Sequence, residues 1–96
     1  MKAVAEIQVI PIGVGVSVSK QVKRAHQLIK DSGLIVEAHG YGTNVEGELA
    51  TILATIEKIH EVLHQEGTPR LSTAVKIGTR VDKDSSLAAK KKAIAP

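Results

Sequence analysis

Gly40-Tyr41-Gly42-Thr43-Asn44-Val45-Glu46-Gly47-Glu48 is the stretch that decides the fold. Ahead of it, Leu34, Val36 and Ala38 alternate with Ile35, Glu37 and His39, the period-two pattern of a strand. The Gly40-Tyr41-Gly42 triplet predicts a tight turn, and Thr43 to Gly47 returns as a short strand. If Val45 faces the core, Asn44 and Glu46 face away from it. Behind the stretch, Leu49, Ile52, Leu53, Ile56, Ile59 and Leu63 recur at spacings of three and four, which predicts an amphipathic helix ending near Gly67.

The same patterns extend outward in both directions. Ala3, Ala5, Ile7 and Val9 lie on one side of a first strand and Val4, Glu6, Gln8 and Ile10 on the other, until Pro11 and the loop Gly13 to Ser17 end it. Val18, Val22, Ala25 and Ile29 then recur at helical spacing, with Ser17 or Ser19 as N-cap and Asp31, Ser32 and Gly33 as the stop, so a helix is expected from Ser19 to Asp31. Downstream, Leu71, Thr73, Val75, Ile77 and Val81 alternate with Arg70, Ser72, Lys76 and Arg80, giving a last strand with one apolar and one basic face. Asp82 to Ser86 reads as a loop and Leu87 to Ile94 as a short final helix.

Strand, helix, strand, strand, helix, strand is the split βαβ order. The expected fold is therefore α+β: a ferredoxin-like βαββαβ sandwich with a four-stranded antiparallel sheet. Right-handed crossovers place both helices on one face. Residues 1–96 form a single domain, with a short C-terminal helix or tail from about residue 86. The sheet's other side carries Glu6, Gln8, Glu37, His39, Asn44, Glu46, Lys76 and Arg80 beside Val4, Ile10 and Ile35. That mixture is too apolar for solvent alone and too polar for a core, so a ligand or another subunit is expected to cover it.

A domain of this size buries only about 60 to 65% of the surface its unfolded chain exposes. With no Phe and no Trp, the core must come from Val, Ile, Leu and Ala, and oligomerisation is the direct way to add burial. Zero cysteines leave neither disulfides nor thiolate metal sites, which suits a reducing, cytoplasmic setting. The most hydrophobic window, Val9 to Val18, contains a proline, two glycines and a serine and falls short of the ~20 residues of a membrane span. The net charge is +3, but only Lys90, Lys91 and Lys92 form a basic run, and one aromatic residue makes no base-stacking platform. No nucleic-acid or membrane partner is expected.

Three patterns carry possible chemistry. His60-Glu61-Val62-Leu63-His64 has the HExxH spacing of a zinc site on a helix, but Leu63 between the histidines belongs to the core stripe and no third ligand or substrate cleft goes with it. Gly13-Val14-Gly15-Val16-Ser17 before a helix has the look of an anion cradle, yet lacks the lysine of a P-loop and the third glycine of a dinucleotide fingerprint. Glu6, Glu37 and Glu46 are candidate acid or base groups only if buried together, and no nucleophile accompanies them. A metal, a cofactor and catalysis are accordingly not expected.

Gln8 to Val22 (QVIPIGVGVSVSKQV), Gly40 to Glu48 (GYGTNVEGE) and His60 to Asp82 (HEVLHQEGTPRLSTAVKIGTRVD) together resemble the small thiamine-binding, YkoF-like family, in the order of elements through some 80 of the 96 residues. The resemblance rests on that order rather than on any one motif. It implies a ferredoxin-like fold whose open sheet sides pair in dimers and often in tetramers, as dimers of dimers. It also implies binding of thiamine or its hydroxymethylpyrimidine part without a catalysed reaction. The best-matched polar positions are Ser17, Thr43, Asn44 and Glu46; Tyr41 is the one ring for stacking, Glu37 a second acid for a thiazolium cation, and His39 a neighbour on the open side. Where the family often has an acidic residue after the Lys-Ile of the last strand, this chain has Gly78 and Thr79.

Overall fold

Aliphatic residues at every second position make Lys2–Ile12 a strand, β1, long enough to serve as the centre of a sheet; the computed structural model of the chain describes residues 1–96. After it come α1 (Ser19–Lys30), β2 (Ile35–His39), β3 (Gly42–Glu48), α2 (Leu49–Gln65), β4 (Arg70–Gly78) and α3 (Leu87–Ile94). The sheet order is β2-β3-β1-β4 with every neighbouring pair antiparallel, the ferredoxin-like arrangement. Register follows the hydrophobic pattern. Ala5 lies between Val45 and Ile77, and Ile7 between Thr43 and Val75, so the aliphatic residues of these strands share one side of the sheet.

That side packs beneath α1 and α2. Ala3, Ala5, Ile7 and Val45 from the sheet meet Ala25, Leu28 and Ile29 of α1 and Ile52, Ile59 and Leu63 of α2 in one cluster. Each buried Val, Leu or Ile contributes about 1.5 to 3 kcal/mol, so an aromatic-free core remains adequate when its members are this completely enclosed. At two glycines of the hairpin a side chain would crowd a neighbour. A Cβ at Gly47 would stand 2.5 Å from Leu34 Cδ2, and one at Gly42 would stand 3.0 Å from the Ile7 carbonyl oxygen. Their missing side chains admit neighbouring strands and loops of the same chain.

The structure corrects three local expectations. Neither Ser17 nor Ser19 caps α1: Val18 occupies the N-cap position, no side chain caps it, and the two serine hydroxyls sit 3.3 Å apart. The last strand stops at Gly78, paired with Val4, instead of running through Val81. Arg80 lies beyond the end of the sheet, where its guanidinium pairs with Asp82 instead of with the sheet's acids. The sheet side opposite α1 and α2 is also not bare. α3 forms as expected at its residues but folds back over that side.

Candidate functional site

β1 outruns its partner on one flank. Its pairing with β3 ends at Ile7 opposite Thr43, while its pairing with β4 continues to Ile12 opposite Arg70. Beyond Ile7 the strand therefore has a free edge, roofed by the first half of α1 and bordered by the β2–β3 turn. A cavity of about 540 Å³ lies there. Ile7, Val9, Val18, Val22 and Ile29 make its apolar walls, while Gln8, Ser19, His26, His39 and Thr43 supply polar groups and Lys23 stands among the lining residues.

His39 is held from two directions. Its Nδ1 accepts from the Tyr41 backbone N–H at 3.3 Å, and its Nε2 lies 3.3 Å from a Glu6 carboxylate oxygen. Engaged at both ring nitrogens, the imidazole is a fixed polar wall of the cavity. Thr43 is buried and enters the cavity from the dry side of β3, whereas Tyr41, at the tip of the turn, is 82% exposed. Ser17 is exposed just ahead of the lining residues Val18 and Ser19.

Glu37, Asn44 and Glu46 lie on the side of the sheet opposite Thr43, in register: Glu37 faces Asn44, which faces Glu6, which faces Lys76. Here α3 is the neighbour. Glu46 is 6% exposed and accepts from the Leu87 N–H at 2.7 Å, while Lys2 Nζ stands 3.3 Å from its other oxygen. Ser86 adds the N-cap bond to the Ala89 N–H. One turn on, Lys91 Nζ reaches Glu37 at 3.0 Å, and Asn44 donates to the same carboxylate at 3.4 Å. The hydrogen bond and charge of Lys91 hold the Glu37 carboxyl below the usual carboxylate range. A carboxylate at an α-helix start and a cation later in the helix are the two devices that fasten an otherwise exposed helix.

The seven residues singled out in the sequence thus form two groups. His39, Tyr41 and Thr43 border the cavity with Ser17 beside it; Glu37, Asn44 and Glu46 gather under α3. Sequence reading missed Gln8, Lys23 and His26 as cavity residues. For His26 a signal existed: it lies four residues after Val22, on the inward stripe of α1. The HExxH histidines serve the fold, His60 Nε2 meeting the Thr73 hydroxyl and His64 Nδ1 the Thr68 carbonyl oxygen, each at 2.8 Å, which ties α2 to β4 and its approach. No helix is long and apolar enough to cross a membrane.

Comparison with known proteins places these features in a wider set. A family model described as thiamine-binding protein matches residues 5–95. A UPF0045 protein of Methanocaldococcus jannaschii is 40% identical over 97% of this chain and 92% of its own length, and its crystal structure superposes with a TM-score of 0.90 over 97% of this chain and 95% of that one. A UPF0045 protein of Synechocystis is 34% identical over 98% of this chain and 78% of the relative. The fold also recurs, at 22% identity and a TM-score of 0.82 over 97% of this chain and 99% of the other, in a Thermotoga maritima protein described as a candidate for thiamine biosynthesis or salvage.

Proposed function

Because this chain belongs to the thiamine-binding protein family, we propose that it binds thiamine or its hydroxymethylpyrimidine part in the cavity at the end of the sheet, without catalysing a reaction. The cavity itself carries this reading: at about 540 Å³ it falls within the roughly 300 to 1,000 Å³ of small-molecule sites. Its composition suits a flat heterocycle. Ile7, Val22 and Ile29 supply apolar walls for the ring faces, and the Thr43 hydroxyl and His26 imidazole offer the mixed donor and acceptor edge that an aminopyrimidine requires. A thiazolium directed outward meets the exposed ring of Tyr41 and the Ser17 hydroxyl, with Glu6 behind His39 as the nearest acid.

Glu37, Asn44 and Glu46 enter this reading through α3. Displacing the helix frees two carboxylates and an amide for a cation on the open side. The protein acts in the cytoplasm as a homo-oligomer, a dimer of dimers, formed through the apolar surface the monomer leaves uncovered. Supporting this, Ile35 is 59% and Ile10 41% exposed on the open side, while Val75 and Ile77 of the edge strand β4 are exposed despite facing the helix side. The same exposure favours a second reading, a structural or regulatory homo-oligomer that takes no ligand.

Calorimetry with thiamine and with hydroxymethylpyrimidine separates the two. Binding that weakens about tenfold in Thr43→Val, with sedimentation unchanged, supports the ligand reading. No heat with either compound, from protein that sediments as an oligomer, supports the structural one. A monomer at micromolar concentration contradicts the oligomer in both.

A further inference from the structure

On the far side of α1 from this cavity, a groove of about 490 Å³ runs between the first half of α1 and the end of α2. Its lining is polar and lopsided in charge: Lys20, Lys23 and Arg24 stand against the single carboxylate of Glu66. Glu66 is already engaged, both oxygens lying 3.1 to 3.2 Å from Arg24 Nε. The chain's ion pairs involve its N-terminus, Lys2, Arg24, His39, Arg80 and Lys91, so Lys20 and Lys23 bring uncompensated positive charge to the groove. An independent feature adjoins them. The side-chain oxygen of Gln21, another lining residue, is shut off from solvent and accepts no hydrogen bond.

A buried amide oxygen without a donor is destabilising, a defect that a bound group removes. We propose that this groove is a second binding site, for the phosphate group of a small soluble phosphate monoester. A phosphate presents three oxygens to Lys20, Lys23 and Arg24; because the ester is largely the dianion at neutral pH, the donor to Gln21 Oε1 is an adjacent hydroxyl of the ester. With the amide turned over, its NH₂ group donates to the anion instead. This site stands apart from the thiamine reading, although Lys23 borders both cavities.

The test uses isotopically labelled full-length protein titrated with inorganic phosphate at constant ionic strength, followed by nuclear magnetic resonance. Saturable shifts at the Gln21 side-chain amide and at backbone amides of Lys20 to Gln27 and Leu63 to Thr68 are expected, with millimolar affinity. Lys20→Ala, an exposed substitution, should weaken binding about tenfold. Gln21→Met should weaken it about threefold while raising the melting temperature by roughly 4 °C, an opposition that a general loss of structure does not produce. Shifts that never saturate, that sodium chloride reproduces, or that survive Lys20→Ala overturn the proposal. So does capture of the protein by anionic phospholipid vesicles without a response to inorganic phosphate, since the groove would then serve a membrane surface.

Discussion

Two sides of one sheet are covered by opposite means. On the first, α1 and α2 enclose Ala3, Ala5, Ile7 and Val45 with aliphatic side chains, and Ile52 and Val45 are 0% exposed. On the second, α3 buries none of its own residues and is fastened by Glu46 at its start and Glu37 at Lys91. Aliphatic packing is cooperative and insensitive to salt, whereas ion pairs near solvent are weak and screened. The helices on the first side are thus part of the core, whereas α3 is held over the row Glu37, Asn44, Glu46 by one buried carboxylate and one exposed ion pair.

The largest expected effect tests the packed side. Ile52→Ala should cost about 2 to 5 kcal/mol, read as a lower urea midpoint with α2, the sheet and α1 unfolding together. A mild effect confined to α2 would mean that this side is as modular as the other. Next, Glu46→Ala should cost about 1.5 to 3 kcal/mol and expose the amides of α3 to rapid hydrogen exchange while those of α2 stay protected. Glu46→Gln, which keeps an acceptor for the Leu87 N–H, should retain most of that protection.

Ile35→Ser sharpens the contrast further. The residue is 59% exposed on the open side, so monomer stability should shift by no more than about 0.5 kcal/mol. Its sedimentation coefficient should fall toward that of a monomer if subunits meet there. The smallest effect comes from acid. Glu37 has a lowered folded-state pKa, so its contribution is complete above the unfolded value, about 4.3 for glutamate, and is lost as pH falls through the lower folded value. Acidification below the unfolded value should therefore loosen α3, seen as narrowed resonances of Lys90 to Lys92, before the packed side unfolds. Simultaneous loss of both would make the cover part of the core.

Which residues share a face was legible in the chain because side-chain direction alternates at fixed periods. Period two in β1 and β3 and the three-and-four spacing in α2 fixed element types, order and inward faces before any contact was known. The site was harder. Thr43 differs from Asn44 and Glu46 only by parity along one strand, and that parity sends it to the cavity and them beneath α3. The cavity exists because β1 pairs five residues further with β4 than with β3, a difference in register between two neighbours that no single segment encodes. Likewise, nothing near Glu46 in sequence announces that Leu87, 41 residues on, needs an acceptor. Periodicity is a local property of the chain and was sufficient for the sandwich. Long-range pairing lengths and the partner of each buried charge depend on where distant segments meet, and only the tertiary structure decided them.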